Sequence, residues 1–367
     1  MKVCSCCFAD REIKSYIASE STEIGKCDYC NEYCDLLDIG ELLDFFKEFL
    51  NIFQPADKGF NLVDIIHTDW GIFTSPNVAS DILSDATSAT NQHNLLKSYV
   101  TYNDNILECV RHWDKLKNNI RKEWRFVTNT EKLQDYEWDS LFSKPEIIDT
   151  NKLLYRARIH QEENQDAYPI DEMYTPPTEK TSAGRANPLG IPYLYLSESP
   201  DTTLYETRAL FLDDISIGTF KIKNEKQVKI VDLTDELSNY ESPFVSEDMK
   251  ILTKSKMLTR IISKDLAKPL RRYDSEIEYI HTQFICEYVR YVSGANGIKF
   301  NSSLHTDGIN YVIFNPELFE CIKVEKRHIT SVTIDSTICC NQLTINNENK
   351  TEENFNRSNK KRYQSKK

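Results

Sequence analysis

Apolar residues recur at every third or fourth position between residues 36 and 145. Two such series stand out. They consist of Leu42, Leu43, Phe45, Phe46, Phe49, Leu50 and Phe53, and of Ile106, Val110, Trp113, Leu116 and Ile120. A period near 3.6 residues is typical of amphipathic helices. The pattern therefore predicts an all-helical module over residues 36–145.

The pattern changes after residue 145. Short runs rich in β-branched and aromatic residues follow, at 153–155, 193–196, 217–222, 228–231 and 311–314. They alternate with helical patterns at 201–211 and 279–292. Strands mixed with helices predict an α+β protein whose mixed α/β domain covers residues 150–330.

The C-terminal residues 331–367 are expected to form an extension of this domain. Their last part, 346–367, contains seven basic and three acidic residues and almost no apolar ones. A segment that cannot bury apolar surface does not repay the entropy of ordering. We therefore expect a disordered basic tail.

Composition narrows the classes of function. The 367 residues contain 45 Lys and Arg against 57 Asp and Glu, a formal net charge of −12. Such a chain is repelled by phosphates overall, so its charge argues against nucleic acid and anionic membranes as partners. The N-terminus lacks the apolar core of a signal peptide, and no segment matches a bilayer span of about 20 apolar residues. Together with its many unpaired cysteines, this predicts a cytoplasmic protein.

Six of the 11 cysteines lie within the first 34 residues. Cys4 and Cys7 form one CxxC pair, and Cys27 and Cys30 form a second pair after 19 intervening residues. Two such turns can complete a tetrahedral S₄ shell for Zn²⁺. The spacing predicts a small zinc ribbon over residues 1–35, with a structural ion, because four thiolates leave no open position for catalysis.

Two further cysteines leave the ligand set open. Cys6 could replace a neighbour as ligand, and Cys34 could stand in for Cys30.

Candidate chemistry is concentrated in the second half of the chain. Residues 184–192 are rich in Gly and Pro and contain one arginine, Arg185. A guanidinium in such a loop suits bidentate recognition of a phosphate or carboxylate. Tyr195 follows on a predicted strand and Glu206 on a predicted helix. Each alone could be an ordinary surface or core side chain, but together they could converge on one pocket. Gln283 and Glu287, one helical turn apart, could face the same cleft or form a polar stripe.

The second half of the chain resembles the RES domain, a family named for its arginine, glutamate and serine. The resemblance rests on the motifs LYRAR at 154–158, GRANPLG at 184–190, YLS at 195–197, LYE at 204–206, SS at 302–303 and NYVIFNP at 310–316. The region before it is similar to a HEPN-type domain often fused to the RES domain. None of the seven histidines follows an arginine by five to seven residues, as in HEPN ribonucleases. A regulatory or dimerising role is therefore expected of the helical module.

The resemblance implies an ADP-ribosyltransferase-like fold that takes NAD⁺ as its substrate. The activity implied is that of an NAD⁺ glycohydrolase of toxin or defence type. The family positions map to Arg185, Tyr195, Glu206 and Ser302, with Ser303 an equal candidate for the serine. Arg156, Ser303 and Asn187 are the further substrate-binding candidates.

The chemistry of NAD⁺ cleavage calls for these residue types. Loss of nicotinamide passes through an oxocarbenium-like transition state, which the Glu206 carboxylate would stabilise while holding the ribose 2′-hydroxyl. Arg185 would hold the pyrophosphate, and Tyr195 would stack on nicotinamide. A serine hydroxyl could bond a phosphate, a ribose hydroxyl or the carboxamide.

Two other functions stay open at this point. One is mono-ADP-ribosylation of a protein target, and the other is a non-catalytic zinc-ribbon adaptor that binds a nucleotide. Since an unrestrained NAD⁺-consuming enzyme would harm its host, an antitoxin or regulatory protein partner is expected. Homodimerisation is a further expectation.

Overall fold

The structure is a computed structural model. It describes residues 1–126, 133, 138–142, 145–162, 164–224, 226–234, 240–268, 276–334 and 336–337. Residues 1–329 form one compact unit, and the residues from Thr330 onward form a second. The tail predicted for 346–367 lies outside the described residues. Within the described part of the chain, no helix is both long and apolar enough to cross a bilayer.

The N-terminal residues form a small antiparallel sheet with one helix. Its strands are β1 (Lys2–Cys4), β2 (Glu23–Lys26) and β3 (Tyr33–Asp38), in the order β1-β3-β2. Helix α1 (Arg11–Glu20) begins after Asp10, whose carboxylate accepts from the backbone N–H groups of Glu12 and Ile13. This cap satisfies two of the unpaired donors at the helix start. The arrangement is compatible with the predicted small zinc ribbon.

Five α-helices follow within the described residues up to 126, and most residues of the two predicted apolar faces are buried. The helices are α2 (Leu43–Leu50), α3 (Leu62–Trp70), α4 (Pro76–Ala89), α5 (Asn94–Lys97) and α6 (Asp104–Lys122). Phe46, Phe49 and Leu50 of α2 are buried. Ile106, Trp113, Leu116 and Ile120 are buried on α6. Helical periodicity is therefore confirmed over Leu43–Leu50 and Asp104–Lys122, whereas Phe53, the last residue of the first predicted face, lies in a strand.

The prediction of an all-helical module is wrong in one respect. Strands β4 (Phe53–Ala56) and β5 (Tyr99–Tyr102) pair antiparallel between the helices. In β5, Val100 and Tyr102 are buried while Tyr99 is exposed. This alternation is that of a half-buried strand, and it is too short to stand out against the helical pattern around it.

The second half of the chain is built on an eight-stranded sheet. Its order is β13-β9-β7-β8-β12-β11-β10-β6. The strands are β6 (Glu146–Ile147), β7 (Leu154–Ile159), β8 (Leu194–Ser197), β9 (Asp214–Ile222), β10 (Lys229–Asp232), β11 (Gly297–Asn301), β12 (Ile309–Ile313) and β13 (Phe319–His328). Only the pair β10–β11 is parallel. The predicted mixed α/β character is confirmed.

Helices complete the second half and join it to α6. They are α7 (Trp138–Leu141), α8 (Pro200–Glu206), α9 (Met249–Ala267) and α10 (Ile280–Ser293). Residues of α6, α9 and α10 form one apolar cluster with Ile298, Phe300 and Val312 of the sheet. A second cluster includes Leu154, Leu196 and other residues of the strands. Because α6 belongs to the predicted helical module, the domain boundary near residue 145 stays a prediction.

Candidate active site

A cavity of about 280 Å³ is lined by residues of β7, β8, α8, β11 and β12. Strands β7 and β8 share a single residue pair, Tyr155 opposite Ser197, so their ladder is short at this point. The lining includes Arg156, Arg185, Tyr195, Glu206, Tyr279 and Asn310. The structure therefore brings together the predicted loop arginine, strand tyrosine and helix glutamate.

Glu206 is the last residue of α8 and is held by two donors. The hydroxyl of Ser302 donates to Oε1 of Glu206 at 2.7 Å, and the amide of Asn310 donates to the same oxygen at 2.6 Å. Asn310 is itself fixed, because the hydroxyl of Ser197 donates to its Oδ1 at 2.7 Å. The two donors give the carboxylate one orientation and leave Oε2 without a hydrogen bond among the described residues.

The structure separates the two candidate serines. Ser302 Oγ accepts from the backbone N–H groups of Leu304 and His305 while it donates to Glu206. Ser303 instead donates to the carbonyl of Ala267, at the end of α9. Ser302 therefore reaches the cavity through Glu206, whereas Ser303 is bound elsewhere.

Two guanidinium groups line the cavity. Nη1 of Arg156 is buried and has no hydrogen-bond partner in the described structure. Burial, aided by the positive charge of Arg158, lowers the pKa of Arg156 to about 10. Among the described residues, neither Arg156 nor Arg185 makes an ion pair. A buried guanidinium nitrogen without a partner is costly unless it meets an anion, so Arg156 suits a phosphorylated ligand, and the half-buried Arg185 lines the same cavity.

The loop carrying Arg185 is fixed by Tyr195. The backbone N–H of Ala186 donates to the Tyr195 hydroxyl at 3.0 Å, which donates to Asn187 Oδ1 at 2.8 Å. Burial raises the pKa of Tyr195, so the hydroxyl keeps its proton for this bond. A Cβ on Gly184 would lie 2.3 Å from Asn187 Oδ1, so the loop has no room for a side chain there.

Helix α10 holds the same loop from the other side. The hydroxyl of Thr282 donates to the carbonyl of Arg185 at 2.5 Å, and the amide of Gln283 donates to the carbonyl of Gly184 at 2.8 Å. Gln283 therefore anchors the arginine loop.

Two asparagines have positions that differ from those predicted from the sequence. Asn187 is buried, and its amide donates to the carbonyls of Ser182 and Pro188. It lies inside the loop and is not among the described residues that line the cavity. Asn310 was not a candidate, yet it contacts Glu206. The available signal was a polar residue within the apolar strand INYVI, since a buried amide needs a partner.

The four predicted cysteine ligands also come together. The Sγ atoms of Cys4, Cys7, Cys27 and Cys30 all lie within 4.8 Å of one another. The closest contacts are 3.3 Å for Cys4–Cys30, 3.5 Å for Cys7–Cys27 and 3.8 Å for Cys4–Cys7. Sulfurs bound to one Zn²⁺ at about 2.3 Å lie roughly 3.8 Å apart in a tetrahedron. The cluster could therefore hold a metal ion with little rearrangement.

Comparison with known proteins finds a family similarity over the part of the chain that lines most of the cavity. Residues 153–335 match the model of the RES domain family. Among solved structures, the crystal structure of the M. tuberculosis MbcT-MbcA toxin-antitoxin complex is similar, with 13% identity over 52% of this chain and 91% of that chain, at a TM-score of 0.29. A score of that size does not establish a common fold. No curated protein matches the chain.

Proposed function

We propose that this protein is an NAD⁺-consuming enzyme that breaks the bond between nicotinamide and ribose. The observation that carries the proposal is the Glu206 carboxylate, fixed by Ser302 and Asn310 in a cavity that also contains two unpaired guanidinium groups. The match to the RES domain family supports NAD⁺ as the substrate, because of the activity that the resemblance implies.

Arg156 and Arg185 are the proposed ligands of the pyrophosphate. Each guanidinium offers paired N–H donors that fit two phosphate oxygens. The cavity, at about 280 Å³, is at the small end of the range of about 300–1,000 Å³ for small-molecule pockets. It therefore suits the nicotinamide ribose and the adjoining phosphates, with the adenosine half extending outside.

Glu206 is the proposed catalytic carboxylate. As the C1′–N bond breaks, its electron pair leaves with neutral nicotinamide and positive charge develops on the ribose. The carboxylate stabilises this charge, and its free Oε2 can accept a hydrogen bond from the 2′-hydroxyl. Water then adds at C1′ and loses a proton to solvent, so NAD⁺ and water become ADP-ribose, nicotinamide and a proton.

The aromatic rings at the cavity are proposed to receive nicotinamide. The Tyr195 ring lines the cavity while its hydroxyl is engaged in the loop, so only the ring is available to a ligand. Tyr279 offers a second ring from the segment before α10. A nicotinamide between them would be stabilised by stacking.

Zn²⁺ is proposed as a structural ion at Cys4, Cys7, Cys27 and Cys30. Bound there, it would cross-link the strands and turns of the N-terminal sheet. None of these cysteines lines the cavity. No step of the reaction is therefore assigned to the metal.

The test is incubation of purified protein with NAD⁺, followed by chromatography of the products. We expect equal amounts of nicotinamide and ADP-ribose, with Arg156→Ala raising KM for NAD⁺ at least tenfold. Arg158→Ala is the matched control, because Arg158 lies on the same strand but bonds the carbonyl of Glu172. Absence of nicotinamide release would refute the proposal. Nicotinamide without free ADP-ribose, together with a labelled protein, would assign the acceptor as a protein side chain.

A further inference from the structure

The two cysteines outside the four-cysteine cluster face each other. Strands β1 and β3 pair with Lys2 opposite Asp38 and Cys4 opposite Leu36. Continuing this register by two residues places Cys6 opposite Cys34, although the chain turns away from the strand after Cys4. The two Sγ atoms are 2.9 Å apart, 28 residues distant in sequence.

The Cys6–Cys34 contact is shorter than the contacts within the four-cysteine cluster. Cys6 and Cys34 also lie within 4.8 Å of Cys4, so three sulfurs are close enough to share an ion. Two sulfurs on one Zn²⁺ at about 2.3 Å are roughly 3.8 Å apart in a tetrahedron. The contacts within the four-cysteine cluster are 3.3–3.8 Å, whereas the Cys6–Cys34 contact is 2.9 Å. The Cys6–Cys34 separation lies between the spacing of two sulfurs on one Zn²⁺ and the bonding distance of a disulfide, about 2.05 Å.

Exposure sets Cys6 apart from the other cysteines of the described residues. Cys6 is exposed, Cys34 and Cys30 are half-buried, and Cys4, Cys7 and Cys27 are buried. Outside the N-terminal residues 1–35, Cys109, Cys286 and Cys321 are buried as well. A dissolved oxidant therefore meets Cys6 before the other cysteines of the described chain.

We propose that Cys6 and Cys34 form a redox-active dithiol that a hydroperoxide oxidises to a disulfide, while the four-cysteine cluster keeps its thiols. The Cys6 sulfur attacks the peroxide O–O bond and becomes a sulfenic acid, as the alcohol or water leaves. The Cys34 sulfur then displaces the hydroxyl as water. In total, two thiols and one peroxide give one disulfide, one water and one alcohol, or two waters when the oxidant is H₂O₂.

The disulfide would tie the turn after β1 to β3. The turn carries Cys7, and β3 follows the loop that carries Cys27 and Cys30. The bond therefore joins the two chain segments that supply the metal ligands. Oxidation is expected to make the N-terminal residues 1–35 more rigid and to slow the loss of the proposed ion to a chelator.

The experiment uses the full chain treated with one equivalent of H₂O₂ and then alkylated. Tandem mass spectrometry assigns the sulfur partners, and elemental analysis counts the metal. We expect a Cys6–Cys34 disulfide that dithiothreitol reverses, with unchanged metal content. Cys6→Ser should form no intramolecular disulfide under these conditions, whereas the control Cys321→Ser should behave as wild type.

Two results would overturn the inference. One is a disulfide or a lost ion at Cys4, Cys7, Cys27 or Cys30 as the first product. The other is a wild-type content of two ions that falls to one in Cys6→Ser, which would make the pair ligands of a second metal. Neither result depends on NAD⁺, so the redox inference and the proposed function can fail separately.

Discussion

The hydroxyl of Ser302 donates to Oε1 of Glu206 at 2.7 Å, joining the loop after β11 to the end of α8. Two backbone N–H groups donate to the same hydroxyl oxygen, so its proton is directed at the carboxylate. Ser302 thus acts on the proposed reaction through Glu206, as a positioning residue.

Replacing Ser302 should therefore impair catalysis more than binding. We expect Ser302→Ala to lower kcat about tenfold or more with little change in KM for NAD⁺, because a misplaced carboxylate loses transition-state stabilisation. Ser303→Ala is the matched control and should keep the wild-type kcat. Steady-state kinetics of nicotinamide release measures both. Equal effects of the two substitutions would contradict the assignment.

Tyr195→Phe should loosen the arginine loop while keeping the ring. The change leaves Ala186 N–H and Asn187 Oδ1 without their partner, and an unsatisfied buried group costs about 1–3 kcal/mol. We expect a loss of that order in the free energy of unfolding, measured with urea, and a raised KM for NAD⁺. Tyr205→Phe, at an exposed tyrosine of α8, should change neither. An unchanged stability of Tyr195→Phe would show that the loop does not depend on this hydroxyl.

The four-cysteine cluster predicts about one Zn²⁺ per chain. Cys27→Ser should lose the ion and lower the thermal midpoint, whereas Cys321→Ser should keep it. Burial raises the pKa of Cys4 and Cys7 in the metal-free protein, so zinc must displace protons there. Zinc should therefore dissociate as the pH falls, and its binding should release protons. The prediction would be contradicted if elemental analysis found no metal in the purified wild-type protein.

His281 predicts a loss of stability in mild acid. Burial lowers the pKa of His281 from 6.5 to about 4, against the attraction of Asp265. The unfolded chain therefore binds this proton at higher pH than the native protein does. Stability should fall as the pH drops from about 6.5 to about 4, by on the order of 3 kcal/mol in total.

The measurement is urea unfolding across this pH range. His281→Gln should flatten the acid limb of the stability curve, whereas His93→Gln, at an exposed histidine, should not. An acid limb that is the same in both variants would mean that other groups cause the loss.

Much of the site could be predicted because its residues follow local patterns. Arg185 precedes a strand in a loop rich in Gly and Pro, Tyr195 lies on the strand and Glu206 on the helix after it. All three lie within one segment of the chain, and the structure brings all three to one cavity. The apolar faces of α2 and α6 could also be predicted, since apolar residues recur at helical spacing over about two turns of α2 and about five turns of α6.

The other features of the site could not be predicted, because they depend on contacts between residues that are distant in the chain. Ser302 and Ser303 are adjacent in sequence, and only the pairing of β11 with β12 decides which of them reaches Glu206. Asn310 is 104 residues from Glu206 and lies in a strand that is otherwise largely apolar. Asn187 has a loop partner that sequence spacing does not reveal, so its polar side chain could equally be assigned to a ligand.

The proposed reaction depends most directly on the Glu206 carboxylate. The deciding measurement is the rate of nicotinamide release at saturating NAD⁺ by wild type, Glu206→Gln and Glu198→Gln. Glu198 is the matched control, a carboxylate bonded by Tyr311 and Lys152 and not among the described residues that line the cavity. We expect Glu206→Gln to lose activity by a factor of about 10²–10³, with Glu198→Gln close to wild type. Equal release by wild type and Glu206→Gln would contradict the mechanism.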